Sequence, residues 1–369
     1  MLRRGDIVVL KFGSSTLVSA SGDDVNVGNF AAIAASIRDL QLAGINVVVV
    51  SSGAVALGRR QISQLANRLD IPSKQVLSAV GQHHLMSLWS AAFAHVGGVC
   101  GQVLVTKAEL SSRTANLNVR DTLQAMFSVG VIPIVNENDS VAVEEIRYGD
   151  NDSLAAQVAL AIGAAGVVLW TDVPGLFTAN PMVEPDAKLV KSVTGNQIDQ
   201  YRSSVTGAGT RLGTGGMITK LDAASLAAAG GIWTLIVGGT DLDNLTSILY
   251  ESNAGTYVHP TVALQDGRTR WILANAVDGR VICNAGAAER ILLAGASLLT
   301  VGITGVVGEF DRGDIVRVVC DGVHIATGIV RYDARDLQCI AGCRESAIED
   351  ALGYTTGAVA IHRDDMAIV

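Results

Sequence analysis

Six short runs of β-branched and aliphatic residues punctuate the first two-thirds of the chain: DIVVLK (6–11), INVVVVSS (45–52), GQVLVT (101–106), VIPIVNEN (131–138), GVVLWTD (166–172) and IWTLIVGG (232–239). Each is too continuously apolar for a strand with one wet face, so each predicts a strand covered on both sides. Between them lie longer Ala- and Leu-rich stretches with helical patterning, which predict helices over 27–42, 74–95, 153–163 and 217–229. Buried strands alternating with helices specify a mostly parallel sheet layered by helices on each face, a three-layer α/β/α sandwich.

Near residue 258 the pattern changes. Helical stretches become scarce and short alternating strands follow: GVVGEF (305–310), DIVRVVC (314–320), HIATGIVRY (324–332) and GAVAIH (357–362). We place a boundary between 258 and 269, with an α/β domain over 1–258 and a small β-rich barrel over 269–369. A length of 369 residues agrees with two cores, because a single core stops growing at roughly 250–300 residues.

Composition narrows the function classes. Hydrophobic residues make up 49% and charged residues 17% of the chain, with 40 glycines, which describes a folded, loop-rich protein and excludes a disordered one. The formal net charge of −8 offers no general attraction to nucleic acid or anionic membranes. From Thr269 onward there are nine arginines and no lysine against thirteen acidic residues, so an RNA-binding surface is not expected there. Five cysteines form an odd set without framework spacing, as for reduced thiols in a cytoplasmic protein. The apolar run at the start is cut by Asp6 and Lys11, too early for a signal segment. The one membrane-like stretch, 153–170, is interrupted by Gln157, Gly163 and Gly166, and reads as helix, turn and buried strand.

Ligands of parallel α/β sheets gather beyond the carboxyl ends of the strands. Six polar clusters fall there: KFGSS (11–15), SSGA (51–54), NEND (136–139), GDND (149–152), TD (171–172) and GTGGMITK (213–220). The last is not a Walker A loop, since Lys220 stands apart from the glycines after Met217, Ile218 and Thr219. Each cluster alone is usually just a turn or a helix cap. Together they place two lysines, Lys11 and Lys220, where a transferring phosphoryl group could be neutralised, with Asp152 as an acid able to hold them. His83, His84 and the Cys339/Cys343 pair lack the companions of a metal site, so no protein-held metal is expected.

KFGSS, SSGA, NENDSV, GDNDSLAA, TDVPGLFTANP and GTGGMITK, in this order, resemble the amino acid kinase family, and within it the branch that phosphorylates the side-chain carboxylate of L-glutamate. RWI, GITGVVGEF, GDIVRV, GIVRY and HRDDM are similar to a C-terminal PUA domain. The resemblance implies catalysis by Lys11, Lys220 and Asp152, and binding of L-glutamate by Ser52, Gly53, Asn136, Asp139 and Asn151. It implies binding of ATP by Lys11, Gly13, Ser14, Thr171, Asp172, Gly213, Thr214, Gly215, Gly216, Met217 and Lys220, with Mg²⁺ carried on the ATP phosphates. It further implies a homo-oligomer (dimer or tetramer), feedback by L-proline and a cytoplasmic setting. A relative acting on another carboxylate, a carbamate or a phosphate is the alternative.

Overall fold

The computed structural model describes residues 2–18, 25–68, 70–141, 151–181, 183–205, 216–238, 242, 245–251 and 254–369. They divide into two compact units, Met1–Leu264 and Gln265–Val369.

The first unit is built on one eight-stranded sheet. Its strands are β1 (Ile7–Phe12), β2 (Asn46–Ser51), β3 (Val99–Val105), β4 (Val131–Glu137), β5 (Gly166–Thr171), β6 (Ser192–Thr194), β7 (Trp233–Gly238) and β8 (Thr256–His259), in the order β3-β4-β2-β1-β5-β7-β8-β6. Among the described residues every pairing of these strands is parallel except β7 with β8. The chain moves from β1 to β2 on one side and later returns to β5 on the other, so β1 marks the point where strand order reverses. A crevice opens at such a point beyond the carboxyl ends, and Lys11 and Phe12 end β1 there.

The helices that carry the site are α1 (Val27–Leu42), α2 (Ala54–Gln61), α3 (Ile71–His95), α4 (Arg113–Ser128), α5 (Asn151–Ile162) and α6 (Met217–Ala229). Helix α3 starts three residues before the predicted 74, because the Asp70 side chain accepts from the Ser73 N–H and Pro72 fits the first turn. Helices α2 and α3 touch backbone to backbone. A Cβ on Gly81 would lie 1.7 Å from the Ala54 carbonyl oxygen, and one on Gly58 would lie 1.9 Å from that of Leu77.

The central strands are buried on both faces, as their uniform apolarity predicts. Strand β3 departs from that expectation. It is an edge strand from Val99 to Val105, and Val99 is 62% exposed, so only its inner rim is covered. The membrane-like stretch resolves into α5, a turn at Gly163 with φ of 69°, and β5. Among the described residues no helix is long and apolar enough to cross a membrane.

The second unit carries a six-stranded mixed sheet of β9 (Arg280–Cys283), β10 (Leu298–Leu299), β11 (Ile303–Val307), β12 (Ile315–Cys320), β13 (Val323–Val330) and β14 (Val359–Ile368). Its core includes Val281, Val316, Val318, Ala326, Tyr332 and Ile361. Helices persist here, one of them Ala285–Ala294, capped by the Asn284 side chain and ended by Gly295 at φ of 57°. Its Ala- and Gly-rich start hides the helical period, and the caps define it instead. Burial and the neighbouring Cys320 push the Cys283 thiol up to about 11, and the five cysteines are unpaired.

Candidate active site

Strand β1 delivers Lys11 and helix α6 delivers Lys220 to one carboxylate, that of Asp152 in the first turn of α5. Lys11 Nζ lies 2.5 Å from Asp152 Oδ1, and Lys220 Nζ lies 2.9 Å from Oδ2. The exposures are 5% for Lys11, 4% for Lys220 and 0% for Asp152. Burial pushes the Asp152 carboxyl upward, but the Lys11 and Lys220 ammonium groups outweigh it and hold the group below its ordinary value, so it is ionised at neutral pH. One carboxylate facing two ammonium groups leaves this trio with a formal charge of +1. Two lysine ammonium groups cannot ligate a metal, and they suit the oxygens of a phosphate.

The Thr219 hydroxyl lies 3.2 Å from Asp152 Oδ2 and 2.7 Å from the Gly216 carbonyl oxygen, at the start of α6. Thr219 is not among the residues that the sequence pattern singles out; a hydroxyl residue directly before Lys220 is the only signal the sequence carries for it.

Asn151, the residue before Asp152, belongs to a different cluster. Its Nδ2 lies 2.9 Å from Ser52 Oγ, 2.9 Å from Asn136 Oδ1 and 3.1 Å from the Ser51 carbonyl oxygen. Asn136 Oδ1 also accepts from the backbone N–H of Glu137 at 2.9 Å, and Asn136 Nδ2 donates to Gln82 Oε1 at 2.8 Å. Helix α3 supports the cluster along one stripe. Ser78 donates to Asp139 Oδ2 at 2.8 Å, Gln82 meets Asn136, and the Trp89 ring N–H donates to Ser51 Oγ at 3.0 Å. Spacings of four and seven residues put the three groups on one face. All three are nearly buried, and none was among the sequence candidates.

Gly53 caps α2 with φ of 112°, a left-handed conformation open to glycine, so α2 begins directly after Ser52. Near the carboxyl end of β5, Thr171 is buried and its hydroxyl donates to Asp172 Oδ1 at 3.1 Å, while Asp172 is exposed. Gly13 is half-buried and Ser14 exposed beyond β1. At the start of α6, Gly216 is exposed and Met217 half-buried. Gly213, Thr214 and Gly215 lie outside the described residues.

Comparison with known proteins identifies the family. The pattern of the "Amino acid kinase family" matches residues 6–238, and that of the "PUA domain" matches residues 279–352. A protein of Vibrio vulnificus (strain YJ016) named "Glutamate 5-kinase" is 41% identical over 364 residues, covering 98% of this chain and 96% of that protein. Another of that name, from Haemophilus influenzae (strain PittEE), is 42% identical over 366 residues and covers 98% of each. Among solved structures, a carbamate kinase from Giardia lamblia bound to AMP-PNP aligns with a TM-score of 0.52 at 18% identity, over 69% of this chain and 98% of that one, a likeness of fold alone. With the family pattern spanning β1 to β7 and full-length relatives at about 40% identity, the chain belongs to the amino acid kinase family.

Proposed function

We propose that this protein transfers the γ-phosphoryl group of ATP to the side-chain carboxylate of L-glutamate, forming γ-glutamyl phosphate for proline biosynthesis. The observation that carries the reading is the Lys11–Asp152–Lys220 trio at the carboxyl edge of the sheet, one residue from the Asn151 amide cluster. The relatives of that name support the choice of glutamate.

The chemistry asks little proton transfer of the protein. A carboxylate acceptor is already anionic, so attack of its oxygen on the γ-phosphorus needs no general base. What opposes the reaction is repulsion between two anions, and two buried ammonium groups offset it where charge redistributes. Asp152 is ionised and cannot act as an acid; it fixes both lysines in one geometry and makes their burial tolerable. The oxygen–phosphorus bond to the acceptor forms as the bond to ADP breaks, and ADP leaves with the electron pair. Mg²⁺ would be carried by the ATP phosphates and would supply further charge neutralisation beside Lys11 and Lys220.

In this reading Ser52, Gly53, Asn136, Asp139 and Asn151 hold L-glutamate, with Asp139 opposite its α-ammonium group. Asn151 Nδ2 has two protons for three oxygens, so the half-buried Ser52 hydroxyl is the one it can release to a ligand. Gly13, Ser14, Thr171, Asp172 and the segment from Gly213 through Met217 take ATP together with the lysines. The proposal extends to a cytoplasmic dimer or tetramer, to inhibition by L-proline at or near the glutamate site, and to a PUA domain that does not recognise RNA.

The test is to incubate the protein with ATP, Mg²⁺, L-glutamate and hydroxylamine. γ-Glutamyl hydroxamate is the expected product. Hydroxamate absent with L-glutamate but formed from another carboxylate would reassign the substrate.

A further inference from the structure

We infer that Gln82 is a specificity-determining residue whose amide nitrogen donates a hydrogen bond to the α-carboxylate of the bound amino acid. The inference rests on the glutamate reading above and deepens it.

The orientation of the Gln82 amide follows from a chain with one possible polarity. The backbone N–H of Glu137 can only donate, so the Asn136 atom that meets it is the oxygen, which also accepts from Asn151. The nitrogen of Asn136 is thereby turned to Gln82, whose oxygen must receive it. Gln82 is left with Nε2 and its two protons facing away from Asn136. That nitrogen is shielded from water and has no hydrogen-bond partner among the described residues, and the residue is 8% exposed. A buried donor without an acceptor is costly and uncommon in a folded chain. This one stands at the edge of a cluster that already spends its other polar atoms on each other.

Position selects the acceptor. Ser78, one turn earlier on α3, holds Asp139, the group placed opposite the α-ammonium. The substrate atom next to that ammonium is the α-carbon, which carries the α-carboxylate. The distal carboxylate belongs with Lys11 and Lys220, which are held by Asp152 rather than by the Asn151 cluster. An uncharged donor one helical turn from Ser78, which holds Asp139, therefore meets the α-carboxylate, and the contact closes as the pocket adjusts to the substrate, as hydrogen bonds of ligand-free sites commonly do.

Two variants and one analogue test this. Gln82→Glu keeps an oxygen for Asn136 and replaces the donor by a carboxylate; Gln82→Met removes both at similar size. The expected result is a KM for L-glutamate raised about ten- to a hundredfold in both variants, with the KM for ATP unchanged and kcat changed much less. The α-amide of glutamate should be a poor substrate for the unsubstituted enzyme, and Gln82→Met should shrink the preference for glutamate over that amide. If Gln82→Glu restores the original KM, Gln82 only props Asn136 and the inference fails. It fails equally if the unsubstituted enzyme takes the α-amide as well as glutamate, a measurement that needs no variant to fold. Absence of hydroxamate from the unsubstituted enzyme would instead overturn the glutamate reading itself.

Discussion

Asn151 and Asp152 are consecutive residues at the start of α5, yet they anchor two clusters of opposite physical character. The Asp152 carboxylate gathers two lysine ammonium groups, with the Thr219 hydroxyl at 3.2 Å. Asn151 gathers neutral ones: one amide, one serine hydroxyl and one backbone carbonyl. A charged cluster in low dielectric is strong but non-directional, and suits the changing charge of a phosphoryl transfer. A neutral amide network is weaker per contact but directional, since each donor and acceptor fixes the next. In the proposed function one helix start separates turnover from recognition, and substitutions should divide along the same line.

The largest effect is expected at Asp152. Asp152→Asn leaves two nearly buried ammonium groups facing each other, and removing one partner of a buried ion pair costs about 3–5 kcal/mol. Denaturant unfolding should show that loss together with a collapse of turnover. The same carboxylate shapes the acid limb of stability. Its folded value lies below the ordinary 3.8, so its contribution is complete above that pH and disappears as pH falls below it. The stability profile of Asp152→Asn should be flatter in that acid range; a profile parallel to the parent would contradict the assigned direction.

Next come the lysines. Lys220→Met should lower kcat on the order of 10²–10³-fold with smaller changes in both KM values, because its charge acts mainly in the transition state. Lys11→Met should behave alike, and the double variant should lose less than the two single losses combined, since both serve one phosphoryl group. Near-normal kcat with only a raised KM for ATP would make Lys220 a ground-state binder.

A smaller and differently shaped loss is expected on the neutral side. Asp139→Asn should weaken L-glutamate binding by about 1.5–3 kcal/mol while leaving ATP binding nearly unchanged. Isothermal titration with each substrate separates that outcome from misfolding, which would weaken both. The smallest effect concerns the second unit. A chain ending after Leu264 retains all eight strands of the first sheet and should fold and form hydroxamate at a rate near that of the full chain. A soluble, monodisperse but inactive truncation would show that transfer needs residues beyond 264.

The charged cluster was legible in the sequence because each member sits at a strand end or helix start, where polar residues interrupt apolar runs: Lys11 after IVVL, Asp152 before SLAA. The supporting stripe was not. Ser78, Gln82 and Trp89 lie inside a 25-residue helix without a pronounced polar face, and isolated polar residues in such a helix read as solvent positions. Their roles appear only when α3 is laid against the ends of β2 and β4, a long-range fact that local period cannot carry. Strands β6 and β8 were missed for another reason. At three and four residues they are shorter than any window in which alternation can be distinguished from chance.

The bare contact between α2 and α3 at Gly58 and Gly81 has a consequence for redesign. Because no side chain intervenes there, it sets the gauge between α3 and the segment that follows β2, and any larger residue would force the two backbones apart. Those two positions are therefore fixed points of the scaffold. In the proposed function positions 78 and 82 serve the substrate side; they hang from the same helix and bond Asp139 and Asn136, while the trio is carried by β1, α5 and α6. A library that holds the glycines and varies only that stripe would explore new acceptors while the phosphoryl-transfer apparatus stays as it is.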